Sequence, residues 1–500
     1  MRNLNIRRGS VVMMAHRNLA LVLLSVLATA CADRTMSKLA PTVSVTQSKL
    51  VPLHTDFDIL FVIDNSASTS DKQQVFAANF DKLVAALDAF PTGRPDLHIA
   101  VVDSTVDIHA QGWSNGRAGC PSPDPWDDGL FQTTPRIAGC TPPSGPFITD
   151  VAAPGGGRTT NYTGTLEDTL ACIGEIGSTG CGFEAPLEAM KRALDGTHME
   201  NANFLRDGAF LAVIVLTDED DASVRDPAVF GLATSIDDFI VQPLYAYQCD
   251  QPISPTMPGQ YTGCHPRTDS APDNYLYPPD HYVEFLSSVK DPRQTVVAAI
   301  AGPPPYGFTT DDSPPQVATL NPNVIATGPL TLNGNVQPLA LLPSCQATIN
   351  GSFEIGRPAL RLASFVRSYS SFGRFYDVCQ ADFSPALSDI GKTLFRATSP
   401  CLPGAIDPAD TDAHNPGFQP QCTVHDVQHQ GAANQTETQI PPCHMDDPTH
   451  PTAGQALCWW TAQNPTVCTA PDTGWDLQIV RAAPPPDGTI VEVECVVDPT

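Results

Sequence analysis

Basic residues are scarce in this chain. Lys and Arg number 27 against 54 Asp and Glu, leaving a formal net charge of −27 over 500 residues. A protein this acidic has no electrostatic means of holding a phosphate backbone or an anionic lipid surface, so no nucleic acid is expected as a partner. Also missing is any Cys-x-x-Cys pair among the 15 cysteines, which argues against zinc ribbons and thioredoxin-type redox sites. The apolar stretch at residues 19–28 is too short to span a bilayer as a stable helix. What is present fits a folded protein. A hydrophobic content of 42% is too high for disorder throughout, and 49 prolines with 35 glycines point to many ordered loops rather than long helices.

The most informative segment is Asp64-Asn65-Ser66-Ala67-Ser68, directly after the apolar run Ile59-Leu60-Phe61-Val62-Ile63. A continuous apolar run of this kind suits a strand covered on both faces, as in a parallel sheet between helices. In such sheets ligands bind beyond the carboxyl ends of the strands. One carboxylate and two hydroxyls at alternate positions offer hard oxygen donors, the set preferred by Mg²⁺. A second run, residues 210–216, ends in Thr217-Asp218-Glu219-Asp220-Asp221. Two acid-tipped strands in one domain place Asp64 and Asp218 around one cation. Capping of the next helix by Ser68, Ser70 or Asp71 is the plainer alternative for the first motif, but it leaves the second unexplained.

With these two motifs the chain resembles a von Willebrand factor A domain carrying a metal-ion-dependent adhesion site. The resemblance covers residues 57–397. It implies a doubly wound, mostly parallel α/β sheet of six strands, and a divalent ion, Mg²⁺ or else Mn²⁺ or Ca²⁺, held by Asp64, Ser66, Ser68, a loop threonine and Asp218. Glu219 stands where many members have glycine. For the threonine, Thr179 precedes a helical pattern at 183–194, with Thr163 and Thr165 as alternatives. Glu219, Asp220 and Asp221 are secondary metal candidates.

Residues 1–31 read as an export signal, with Arg2, Arg7, Arg8, His16 and Arg17 before the apolar stretch. Its end, Leu27-Ala28-Thr29-Ala30-Cys31, resembles a bacterial lipobox, which implies lipidation at Cys31 and membrane anchoring in the cell envelope; simple secretion is the alternative. Cysteine numbers agree with export. Without Cys31, eight lie between Cys120 and Cys379 and six between Cys401 and Cys495, both even, as expected if each region closes its own disulfides. Cys172 and Cys181 are near enough in sequence to staple the loop holding Thr179.

The expected organisation is a linker over 32–56, an α/β domain over 57–398 with insertions near 104–165, 245–280 and 302–350, and a small disulfide-rich β module over 399–500. Helices are expected at 72–87, 166–176, 183–194, 281–290, 357–368 and 385–395, and strands at 97–103, 295–301 and 373–378. Asn333-Gly334 marks a hairpin. His425-Asp426-Val427-Gln428-His429 is reminiscent of a zinc-protease helix motif, but Asp replaces Glu and the flanks are poor helix, so exposed loop histidines are expected.

The functional expectation is a binding module and not an enzyme: an exported lipoprotein that takes a protein or glycan ligand through its metal, a ligand carboxylate completing the coordination. An aspartyl phosphatase needs a second acid where Ser66 stands. A metal-assisted hydrolase built on residues 218–221 or on the His425 pair lacks an oriented nucleophile. A scaffold of the envelope without metal is the remaining alternative. Oligomeric state is not encoded in any of these features.

Overall fold

Alternate residues of the apolar runs enter two different cores. The computed structural model describes residues 45–497 apart from 53–54, 108–127, 230–243, 269–273, 309–318, 322, 333, 403, 405, 408, 413, 432–433, 470–471 and 487. In the central sheet, strands Gly373–Asp377, Thr295–Ala301, Phe210–Leu216, Asp56–Ile63 and Asp96–Asp103 lie side by side in that order, all parallel. Phe57, Ile59, Phe61 and Ile63 face a core shared with helices Phe80–Asp88 and Ser384–Thr398, while Leu60 and Val62 face the helices Pro186–Leu194, Pro279–Val289 and Leu360–Arg367. Strand side chains alternate between faces, so a run apolar at every position is what a two-sided sheet requires.

Packing on the first face is dense. Phe61, Phe76 and Phe80 form a mutual edge-to-face trio with centroids 4.9–5.7 Å apart, and removing one such ring costs about 3–5 kcal/mol. Helix Ser384–Thr398 approaches helix Phe80–Asp88 at Gly391, where a Cβ would lie 2.3 Å from that of Ala86. Any larger residue there forces the helices apart.

Several expectations are corrected. The helix anticipated at 72–87 is two, Ser70–Ala77 and Phe80–Asp88, because Asn79 turns its amide back to the Val75 carbonyl at 2.7 Å and breaks the ladder. The insertion after residue 104 is not all loop: Ile148–Ala152 and Arg158–Thr160 extend the sheet antiparallel beyond Asp96–Asp103, making seven strands in all. Residues 45–52, placed in a linker, form a strand at the edge of the C-terminal sheet, next to Ile490–Val497, followed by Cys422–Gln428 and Thr436–Ile440. The hairpin at Asn-Gly is present, with Ile325–Leu332 paired to Asn335–Leu341. His425 lies on strand Cys422–Gln428, half-buried, with exposed His429 just beyond it at φ 53°, so no helix joins them.

Six disulfides are described: 140–172, 249–264, 345–379, 401–468, 422–495 and 443–458. None of these crosses between the two cysteine subsets. Cys172 pairs with Cys140, and Cys181 is bonded to a different cysteine, so the 172–181 staple is wrong. Short sequence separation had favoured that pair, but helix Leu166–Gly174 turns Cys172 toward Cys140. Thr46–Asp498 forms one unit. Among the described residues no helix is long and apolar enough to cross a membrane. Cys31 and the rest of the export segment lie outside the described residues.

Candidate functional site

Adjacent strands deliver the two acid motifs to one place. Ile63 and Leu216 are register partners, and the Asp64 amide donates to the Leu216 carbonyl at 2.8 Å, so the pairing runs into the loops. Asp64 is buried. Its Oδ1 accepts from the Ser66 amide at 2.7 Å and its Oδ2 from the Thr217 hydroxyl at 2.7 Å. Ser66 Oγ lies 3.2 Å from Ser68 Oγ, which donates to Asp218 Oδ1 at 3.1 Å. In an octahedral shell at 2.0–2.1 Å, neighbouring oxygens are about 2.9 Å apart. The chain Ser66–Ser68–Asp218 thus has nearly the edge spacing of a Mg²⁺ shell, with donors of the right hardness. Ser68 is on the exposed rim, which leaves the cluster open to a ligand.

Gln73 fixes the neighbouring loop. Its Nε2 donates to the carbonyls of Asp64 and Gly177, each at 2.7 Å, and its Oε1 accepts from the Ile176 and Gly177 amides. Further along, the Gly180 amide donates to the Asn65 carbonyl at 2.7 Å, and a Cβ at Gly180 would fall 2.0 Å from Asn65 Oδ1. Only glycine allows that approach. Thr179, the expected threonine ligand, is exposed on this loop.

The loop contributes a residue that the sequence reading missed, Glu184. Pro186 occupies the first turn of helix Pro186–Leu194 and disfavours helical backbone at Ala185, so the helix starts later than expected and Glu184 belongs to the loop. Its carbonyl accepts from Ala222 at 2.8 Å, and the Ser104 carbonyl accepts from Ala185 at 2.9 Å. Its carboxyl is buried and hydrogen-bonded to that of Glu219, close enough to Asp64 and Asp218 to feel both charges. Burial, then the charges of Glu219 and Asp64, hold Glu184 protonated well above the usual carboxylate range. Burial and the Asp218 charge push Asp64 up to about 7. Glu219 is also raised, by burial, against the pull of Arg357.

Two fixed cations answer these acids. Lys72, buried on helix Ser70–Ala77, places its ammonium 3.0 Å from Asp218 Oδ2, donates to the Ser68 carbonyl at 3.0 Å and pairs with Glu354. Glu354 sits on strand Ser352–Gly356 of a hairpin tied down by the Cys345–Cys379 disulfide. Arg357 pairs with Glu219, and its amide donates to the Asp218 carbonyl at 2.8 Å.

Asp220 and Asp221 have other work. Asp220 accepts from the amides of Arg361 and Leu362, at the start of helix Leu360–Arg367, and from the Tyr247 hydroxyl. Asp221 accepts from the Leu187 amide of helix Pro186–Leu194 and pairs with the buried Arg361 at 2.8 Å. Both carboxylates are taken up in capping helix starts, and Asp221 in an ion pair as well. Of the acids after Asp218, Glu219 is the one that joins the cluster. Cys345, Asp377 and Cys379 also lie within metal-ligand range of one another, but their two sulfurs are bonded together.

No family model and no curated protein matches the chain. Among solved structures, the pilus adhesin SpaC from Lactobacillus rhamnosus GG in its open conformation aligns at 9% identity and TM-score 0.30, over 90% of this chain and 40% of that one. The pilus adhesin RrgA from Streptococcus pneumoniae aligns at 9% identity and TM-score 0.23, over 91% of this chain and 58% of that one. The chain therefore spans well under two thirds of either adhesin, and likenesses this weak carry no argument about fold or function.

Proposed function

We propose that this is an exported binding protein of the von Willebrand factor A type, which holds a divalent cation at the strand ends and takes a protein or glycan ligand through it. Asp64, Ser66, Ser68 and Asp218 would hold the ion, with Glu184 in place of the expected Thr179 as the loop's contribution. The observation that carries this reading is the 3.1–3.2 Å spacing of the Ser66, Ser68 and Asp218 oxygens at an exposed rim. The ion would supply an open coordination position for a ligand oxygen. Hydrogen-bonded and buried, the protein groups orient the donors and no nucleophile is required of them. Disulfides in both halves of the chain support an oxidising compartment, and anchoring through Cys31 belongs to the same proposal.

Lys72 favours a second reading. Its ammonium already neutralises Asp218, as expected of a scaffold that has no need of metal. Calorimetry separates the two. Titrating the chain with Mg²⁺, Mn²⁺ or Ca²⁺ should show about one equivalent bound, lost in Asp64→Ala with the circular dichroism spectrum unchanged. Absence of binding by all three ions overturns the adhesion-type reading and leaves the scaffold.

A further inference from the structure

A cavity of about 500 Å³ opens at the other end of the central sheet. Its walls include the turn Pro292–Gln294, which leads into strand Thr295–Ala301, and Ser370–Phe372, which leads into strand Gly373–Asp377. It thus adjoins the amino ends of strands whose carboxyl ends face the acid cluster. The opposite wall comes from the edge strand Val45–Pro52 and the C-terminal region, through Lys49 and Asp472. The volume is within the range of about 300–1,000 Å³ found for small-molecule sites.

Three cations, Lys49, Arg293 and Arg396, and one carboxylate, Asp472, line the cavity. Arg293 is matched by Asp291 at 2.9 Å and by Glu492, and Arg396 faces Asp472 at 4.0 Å. Lys49 is different. It is buried, and its ammonium donates to neutral acceptors, Ser399 Oγ at 3.1 Å and the Cys401 carbonyl at 2.9 Å. Among the described residues no carboxylate comes within 4.0 Å of it. Burial pulls this ammonium down to about 8, while the charges of Asp472 and Arg396 act on it in opposite directions. A buried cation without an ion-pair partner is costly, and an anion in the cavity would relieve that cost. Around it the lining mixes hydroxyls, those of Ser48, Ser370 and Ser371, with the rings of Tyr369 and Phe372. A buried ammonium without a carboxylate at ion-pair distance, several hydroxyls and an aromatic surface describe a partner with one carboxylate, several hydroxyls and an apolar ring face.

We propose that this cavity binds a monocarboxylate sugar, of the uronic-acid class, with its carboxylate toward Lys49. This site is separate from the strand-end cluster and does not depend on a metal there.

The test is calorimetric titration of the full chain with D-glucuronate, with D-glucose as the neutral polyol and inorganic phosphate as the anion without a ring. Glucuronate should bind saturably at one site, with both controls weaker by at least about tenfold, the size of one hydrogen bond to a charged group. Lys49→Gln should weaken glucuronate by a similar factor, and Asp64→Ala should leave it unchanged. The assignment is overturned if glucuronate does not bind, if glucose or phosphate binds equally well, or if Lys49→Gln folds and binds like the parent. Should Lys49→Gln not fold, Phe372→Ala decides, since unchanged binding in that variant also overturns it.

Discussion

Replacing Asp64 by Asn should stabilise the metal-free protein and abolish its response to metal. Asp64 is buried beside Asp218, and its carboxyl is raised from 3.8 to about 7. A group whose folded-state value is raised holds its proton more tightly when folded. The resulting cost is absent below about pH 4, grows as pH rises toward 7 and is complete above it; a displacement of this size corresponds to roughly 4 kcal/mol. Asparagine carries no charge and removes that cost. Against this, its amide has one acceptor oxygen where the carboxylate had two. The Ser66 amide keeps its acceptor, and the Thr217 hydroxyl must rotate to accept from the new NH₂, a change costing about 1–2 kcal/mol. The net gain at pH 8 in EDTA is therefore about 2 kcal/mol, and at pH 4, where the charge cost is gone, it turns into a loss of about 1–2 kcal/mol. Saturating Mg²⁺ reverses the order, because an ion at a hundred times its Kd stabilises the parent by about 2.7 kcal/mol and the variant not at all. Urea unfolding with disulfides intact, at pH 4 and pH 8 in EDTA and at pH 8 in Mg²⁺, tests each statement. A variant less stable than the parent by more than about 1 kcal/mol in EDTA at pH 8 would refute the electrostatic reasoning; equal stabilisation by Mg²⁺ would refute the site.

Glu184→Gln copies the protonated acid, so in EDTA at pH 7 its stability should stay within about 0.5 kcal/mol of the parent, while Mg²⁺ affinity measured by calorimetry falls about tenfold. Arg361→Met leaves Asp221 buried without its partner, and chemical unfolding should report a loss of about 3–5 kcal/mol. Cys140→Ser opens the loop closed with Cys172 and should cost about 3 kcal/mol. A non-reducing digest of the parent should yield the 140–172 linked peptide, and a 172–181 peptide in its place would contradict the fold around helix Leu166–Gly174.

The parallel strands were legible because burial on both faces leaves an unbroken apolar run, and runs ending in Asp64 and Asp218 need no long-range information to be seen. What was hidden depended on partners far away in the chain. Val45–Pro52 is a short segment that gains its place next to Ile490–Val497, more than four hundred positions on. Ile148–Ala152 and Arg158–Thr160 are short strands with polar positions, so neither period nor apolar content distinguishes them from loop. Glu184 was missed for a local reason. Apolar periodicity suggested a helix from 183, whereas Pro186 was the signal that the helix begins there and that the preceding residues are free to turn inward. Asp220 and Asp221 looked like ligands because an acid run has no visible counter-charge in sequence; Arg361, which binds one side chain and caps against the other, is some 140 positions away.

The charge balance at the strand ends bears on how a ligand would be recognised. Carboxyls of Asp64, Glu184, Asp218, Glu219 and Glu354 surround the fixed cations Lys72 and Arg357. Above pH 7, with Asp64 ionised and Glu184 still protonated by burial and its neighbours, the metal-free cluster is left with two negative charges, which a divalent ion offsets. An acidic ligand is therefore repelled by the metal-free cluster and meets less negative charge in the loaded one. The ion would then act twice, by offering a coordination position and by lowering the barrier to an anion's approach. Lys72 alone cannot do this, since it matches Asp218 and Glu354 and leaves Asp64 and Glu219 to share Arg357. Coordination through Glu184 requires its carboxylate, so Mg²⁺ binding should release a proton and tighten as pH rises, which calorimetry in buffers of different ionisation heat would measure.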